Sequence, residues 1–301
     1  MGVRNTIFDS QAEESLYHHL DSLWKDKLKI YPNLPFTKIF DIGALKVDDR
    51  TKSYLLKTNV DITICDKKNK PLMCIEFDGI SKGFSRKGRY IQHKFDKKRK
   101  QKLELKLQIA QRYHFPFFVV SFEETQQISK HEHLMLIDSI IGQTIATKLF
   151  REKLKKYEAL FQLLEVDEEA LQDIVIQIET ELELEWDPIA KKVTEIEVFL
   201  MRKGLIKSWS YEYLEKPPLP PLKNLSDTST LVERAKMLER VIWVGCRVVY
   251  TMARGKIGAT AWVRNIENEY VSPSIIAKNS AMLMALYKVL KFFNLDFDQT
   301  V

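Results

Sequence analysis

The chain has 301 residues, of which 45% are apolar and 29% charged, with a net charge of +6. That length suits one large domain or two to three smaller ones, and the apolar share is that of a globular protein with a packed core. No apolar run approaches the ~18 residues of a membrane span, and the opening MGVRNTIFDSQAEES lacks the apolar stretch of a secretory leader, so a cytoplasmic protein without a membrane partner is expected.

Cys65, Cys74 and Cys246 are too few and too scattered for a disulfide framework or a zinc knuckle, and are expected to be free thiols. Charge is distributed unevenly. Residues 82–106 carry eleven Lys or Arg against Asp96 and Glu104, whereas residues 161–187 carry ten acids and no base. A basic stripe confined to one segment is the electrostatic footprint of a phosphate-backbone binder, although it also suits a solvated helix face.

In chain order, Ser10 and Glu13 form a capping box that opens a first helix with Leu16, Tyr17, Leu20 and Leu23 on one side. Pro32 and Pro35 close that unit, and residues 37–47 read as a first strand. Residues 60–65 alternate, residues 66–71 form a polar turn and residues 72–78 form the next strand, so the two strands should pair as a hairpin. A cationic loop over 80–90 leads into a helix over roughly 92–113, with Leu103, Leu107 and Ala110 on one face. The apolar run 115–121 predicts a central strand.

Further on, residues 132–164 read as helical. Ile174, Ile176, Ile178, Thr180, Leu182 and Leu184 alternate with polar residues, which predicts an amphipathic strand. Asp187-Pro188 caps a helix that ends at Gly204, and Trp209, Tyr211 and Tyr213 alternate as a strand. The segment Pro217–Pro221 is a stiff linker, followed by a helix over 229–243, strands over 245–253 and 258–266, and a helix opened by Ser272-Pro273-Ser274. Three regions are therefore expected: 1–150, 151–216 and 222–301.

Alternation places Asp61 opposite to Ile62 and Ile64, and puts Cys74, Glu76 and Asp78 on one face of their strand with Met73, Ile75 and Phe77 on the other. If the apolar set faces the core, Asp61, Glu76 and Asp78 cluster on neighbouring strands. Carboxylates that close repel unless a cation sits among them, and hard oxygen donors suit Mg²⁺ or Mn²⁺. The alternative is a set of solvent-facing acids at strand ends. The absence of a Gly-Lys-Ser/Thr ending in the glycine loop, of Gly-x-Ser-x-Gly and of His-Glu-x-x-His argues against ATP use, serine hydrolysis and zinc proteolysis.

These residues also carry a resemblance. The order Ser-x-x-Glu-x-x-Leu-Tyr helix, Val-Asp strand, Ile-Glu-x-Asp-Gly strand, lysine-bearing helix and Phe-Pro strand, over residues 10–123, resembles the PD-(D/E)XK nuclease superfamily, in the branch related to very-short-patch-repair endonucleases. The resemblance implies an α/β fold, a restriction-endonuclease-like mixed sheet flanked by helices, here with an α+β accessory region after it. It further implies Mg²⁺-dependent cutting of DNA, less often of RNA. Carried over, Asp61 and Glu76 are metal ligands. Asp78 stands where the superfamily lysine usually stands, and Lys106, with Lys102 as a second candidate, supplies the cation from the helix. Glu13 matches the first-helix acid, or is simply the capping partner of Ser10. The chain departs from the pattern at Lys82, where relatives often carry histidine.

Lys82, Arg86, Lys87, Arg89, Lys94, Arg99 and Lys102 are the expected nucleic-acid contacts. The expected activity is metal-dependent endonuclease. The alternatives are a non-catalytic nucleic-acid-binding module or an assembly partner that retains the nuclease fold. The region after 150 could form a homodimer or meet a protein partner.

Overall fold

A computed structural model describes residue 8 and residues 11–45, 47–78, 97–121, 133–164, 167–214, 243–264 and 269–297. The chain divides into two compact units. The described residues of the first end at 121, and those of the second begin at 133. This division falls earlier than the boundary expected at residue 150, because α4 (His133–Leu164) packs against the helices that follow it. It also joins the expected regions 151–216 and 222–301 into one unit. The linker 217–221 and residues 229–242 of the next expected helix lie outside the described residues, and Trp243 is already in a strand. No helix among the described residues is long and apolar enough to cross a membrane.

The N-terminal unit is mixed α/β. It runs α1 (Gln11–Trp24), β1 (Lys29–Pro35), α2 (Asp49–Leu55), β2 (Asn59–Cys65), β3 (Pro71–Asp78), α3 (Lys97–Arg112) and β4 (Phe117–Ser121). Its four strands lie in the order β1-β2-β3-β4; the first two pairings are antiparallel and β3–β4 is parallel. The helix α3 is the crossover that a parallel pair requires.

The first strand is not at 37–47 but at Lys29–Pro35, upstream of the expected position. Pro32 and Pro35 are tolerated there because β1 has a neighbour on one side only among the described strands, so no ladder on the other side needs their missing N–H. Residues 37–47 instead hold two 3-10 turns, Phe36–Lys38 and Ile42–Ala44. Their apolar side chains Phe36, Phe40, Ile42 and Leu45 drop into a buried cluster with Leu55, Val60, Cys74, Ile109, Ala110 and Phe117. β4, expected in the centre, is the last of the described strands. Its continuous apolar run reflects burial on both faces, since Phe117, Phe118 and Val120 are all buried.

The C-terminal unit runs α4, α5 (Glu168–Trp186), α6 (Pro188–Arg202), β5 (Ser208–Leu214), β6 (Trp243–Met252), β7 (Gly255–Arg264) and α7 (Pro273–Phe292). The strands form an antiparallel sheet in sequence order, with α7 packed on β6 and β7. The strand expected over 174–184 is the helix α5. Buried Ile178 and Leu182 and half-buried Leu171 and Val175 define a helical stripe, while Ile176 points to solvent. The intervening glutamates are good helix formers, and Gln177 donates to Glu181 one turn on, at 2.9 Å. The expected end of α6 is correct: Gly204 has φ +67°, and Leu205 N–H donates to the Leu200 carbonyl in the usual glycine-terminated pattern.

Asp187 joins α5 to α6. Its Oδ1 accepts from the amides of Ile189 (2.9 Å) and Ala190 (3.3 Å) and from the Ser139 hydroxyl (3.2 Å), and its Oδ2 is buried without a hydrogen-bond partner among the described residues. Gly142 of α4 approaches this joint so closely that a Cβ would come within 2.3 Å of the Trp186 carbonyl oxygen. Burial pushes the Asp187 carboxyl up to about 6, with the nearby Glu183 adding to the rise and the two amides opposing it.

Because the folded chain keeps this proton more tightly than the unfolded one, Asp187 favours folding at low pH, and that contribution is lost as pH rises from about 4 through about 6. Denaturant titrations across that window should therefore show Asp187→Asn, which keeps the amide acceptor, with a flatter stability profile than the unaltered chain; parallel profiles would disprove the assignment.

Candidate active site

The hairpin β2–β3 sets the geometry. Ile62 pairs with Ile75 and Thr63 with Cys74, so the same antiparallel register puts Asp61 opposite Glu76. Residues directly opposed on antiparallel strands share a face, with Cβ atoms ~4.5–5.5 Å apart. Consistent with this, Thr63 Oγ1 and Cys74 Sγ meet at 3.8 Å. The expected pairing of Asp61 with Glu76 is the continuation of this register by one residue pair.

The surroundings differ from expectation. The acid face is not open: α3 covers it, placing Ile109 and Ala110 against Cys74 and Phe117. The opposite face is buried as well, with Ile62, Ile64, Met73 and Ile75 all enclosed. Glu76 is consequently only 6% exposed, and Asp61 is half-buried.

Burying a carboxylate is costly without a partner, and Lys106 supplies one. This residue, 6% exposed, lies on the sheet-facing side of α3 with Leu103, Ile109 and Ala110. Its ammonium forms an ion pair with Glu76 Oε1 and donates to the Asn59 carbonyl at 2.6 Å. Of the two candidate cations, Lys106 thus reaches the acid, whereas Lys102, one turn earlier and exposed, holds its Nζ 5.6 Å from the centre of the Tyr54 ring.

Tyr54 on α2 was not singled out in the sequence, because nothing near it reads as chemistry. Its hydroxyl is buried without a hydrogen-bond partner among the described residues; the Thr58 hydroxyl is used on the Tyr54 carbonyl at 3.0 Å. Burial raises the phenol above its ordinary value, the neighbouring Thr58 side chain opposes that rise, and the charge on Glu76 adds to it. Asn59, whose carbonyl orients Lys106, was likewise not legible, since any residue can provide a carbonyl.

The other expected site residues are placed as follows. Glu13 is half-buried near the start of α1, on the helix side that carries Leu16 and Leu20. Asp78 is the last residue of β3, with its backbone paired to Ser121, and its side chain is outside the described atoms, as is that of Arg99 on α3. Lys82, Arg86, Lys87, Arg89 and Lys94 lie outside the described residues altogether. Among the described residues, no group of three or more His, Cys, Asp or Glu side chains could hold a metal ion; the expected three-carboxylate cluster includes Asp78, whose side chain lies outside them.

The three cysteines are free and buried, as expected. Burial pushes the Cys65 thiol up to about 11 and the Cys74 thiol further, so neither is poised as a nucleophile.

Removing either partner of a buried ion pair leaves the other charge enclosed, at a cost of roughly 3–5 kcal/mol. Glu76→Gln and Lys106→Met should each lower the urea midpoint by an amount of that order, and the double variant should lose clearly less than the sum. Strict additivity in this cycle would show that the two side chains do not depend on one another.

No protein-family model, no curated protein and no solved structure matches this chain.

Proposed function

We propose that the N-terminal unit is a restriction-endonuclease-like domain that hydrolyses phosphodiester bonds of nucleic acid, DNA before RNA, with Mg²⁺ or Mn²⁺. The observation that carries this reading is the buried pairing of Glu76 on β3 with Lys106 on α3, on a hairpin whose register, continued by one residue, brings Asp61 of β2 alongside, with the elements in the chain order of the resemblance.

Two carboxylates on adjacent strands are a sufficient protein contribution for Mg²⁺, which commonly takes one or two carboxylates and fills its shell with water and substrate phosphate. Asp61 and Glu76 would be those ligands, with Asp78 next along β3. When bound, such an ion polarises the phosphate and lowers the pKa of a water. Lys106 holds Glu76 in place, and its charge would help neutralise negative charge developing on a phosphorane held beside that carboxylate. Tyr54 would contribute a buried hydroxyl within the electrostatic reach of Glu76. The basic residues of 82–106 would track the phosphate backbone.

A second reading rests on one specific observation. Glu76 already has a buried partner in Lys106, so the pair could serve only to fasten α3 to the sheet in a nucleic-acid-binding module without chemistry. Cleavage distinguishes the two.

Labelled DNA and RNA, single- and double-stranded, should be cut with Mg²⁺ or Mn²⁺ and left intact in EDTA. Asp61→Asn, at a half-buried position where folding should tolerate the change, should cut at least ~100-fold more slowly while binding the same substrates. Binding without metal-dependent cutting by the unaltered chain would leave the second reading standing, and undiminished cutting by Asp61→Asn would remove Asp61 from the site.

A further inference from the structure

The C-terminal unit has a cavity of about 370 Å³ between α4, α5 and the start of α7, a volume within the range of small-molecule sites. Phe150, Leu182, Val271 and Ile275 give it apolar walls. Two other lining residues are buried polar side chains with one atom left unmet. Asp187 is fully buried, and its Oδ2 has no hydrogen-bond partner among the described residues. Gln143 is 8% exposed, and its Oε1 accepts from the Ser272 amide at 3.0 Å. That leaves Nε2 as a donor with no partner among the described residues. Both belong to one stretch of wall, because Gly142, next to Gln143 on α4, packs against the backbone of Trp186 and Asp187. Buried polar atoms are rarely left unpaired, so an unmet acceptor and an unmet donor on one wall point to a molecule that supplies both partners.

Charge selects among such molecules. Glu179, Glu183, Asp187 and Glu269 line the cavity against a single base, Arg151. Arg151 is already committed: it donates to the Glu269 carboxylate at 3.1 Å and to the Glu269 carbonyl at 2.7 Å, and it lies 5.1 Å from the centre of the Tyr270 ring. An anion would therefore be repelled. A metal ion does not fit either, since no three acids among the described residues are placed to hold one. An uncharged apolar molecule would leave Asp187 Oδ2 and Gln143 Nε2 as they are. A positively charged N–H group meets Asp187 and its acidic neighbours, an oxygen acceptor beside it meets Gln143, and an apolar body meets the walls.

We propose that this cavity binds a small primary amine with an apolar body and a hydroxyl or carbonyl oxygen near its ammonium, and that Asp187 is the counter-charge. The site lies wholly within the C-terminal unit, so the inference stands whether or not the N-terminal unit cuts.

The test is calorimetric titration of the full chain with L-leucinol, which carries an ammonium, a neighbouring hydroxyl and a branched apolar body. N-acetyl-L-leucinol is the control without the charge. Leucinol should bind and its acetylated form should not. Asp187→Asn should weaken leucinol binding roughly tenfold or more. Glu183→Gln, which can still accept from Asn279, should weaken it roughly three- to fivefold. Glu181→Gln, an exposed position of the same helix outside the cavity, should stay within about twofold. Affinity should also fall between about pH 7.5 and about pH 5, because the Asp187 carboxyl, pushed up to about 6 by burial, then takes up a proton in place of the amine. Thermal melting shows which variants keep the fold; if Asp187→Asn does not, Glu183→Gln and the pH series decide. No leucinol binding by the unaltered chain overturns the proposal, as does equal binding of the acetylated form or an affinity that ignores pH. Equal losses in Glu181→Gln and Glu183→Gln would assign the binding to general attraction by the acidic helix α5 and overturn it as well.

Discussion

The N-terminal unit depends on one enclosed ion pair. Glu76 and Lys106 are both almost fully removed from water, and neither charge is tolerable there alone. Lys106 must present its ammonium to the sheet, which fixes the rotation of α3 about its own axis. Glu76 must face α3, which fixes the face of β3. The Asn59 carbonyl takes a second hydrogen bond from Lys106, so the start of β2 is tied to the same point. Hydrophobic packing of Ile109, Ala110, Cys74 and Phe117 would tolerate small slips of the helix along the sheet; a charge pair with a directional third contact does not.

That constraint bears directly on the chemistry proposed. With both faces of the sheet covered, acid groups on β2 and β3 are divided by depth: Glu76 is enclosed and Asp61 is partly open. On the proposed reading, a substrate or ion would approach from the Asp61 side, the more exposed of the two acids. Low local dielectric strengthens electrostatic interactions at such a position, which is where stabilisation of developing charge is most effective.

The C-terminal unit treats a buried acid differently. Asp187 has no cation partner among the described residues, and its Oδ1 is satisfied by two amides at the start of α6 and by the Ser139 hydroxyl of α4, leaving its carboxyl raised rather than paired. One acid is held by a counter-charge and the other by a helix N-terminus, and each sits at the joint that sets the packing of its unit. In both cases a polar group in the core specifies an arrangement that apolar contacts alone leave under-determined.

Much of this protein was legible from residue order. Alternation identified β2, β3 and β5, the proline and glycine signals bounded α6, and the pairing of a short polar turn with two alternating segments set the hairpin that opposes Asp61 to Glu76. These are local rules, in which side-chain period and turn chemistry are properties of the chain itself. What remained for tertiary structure were the matters that local rules leave degenerate. Alternating Ile174 to Leu184 fits a strand and a helix about equally, and only packing against α4 and α6 selects the helix. Phe36, Phe40, Ile42 and Leu45 can fill a core from 3-10 turns as well as from a strand. Lys106 was legible as a site cation only through the resemblance; that it is buried follows from Glu76, thirty positions earlier, needing a counter-charge in the interior.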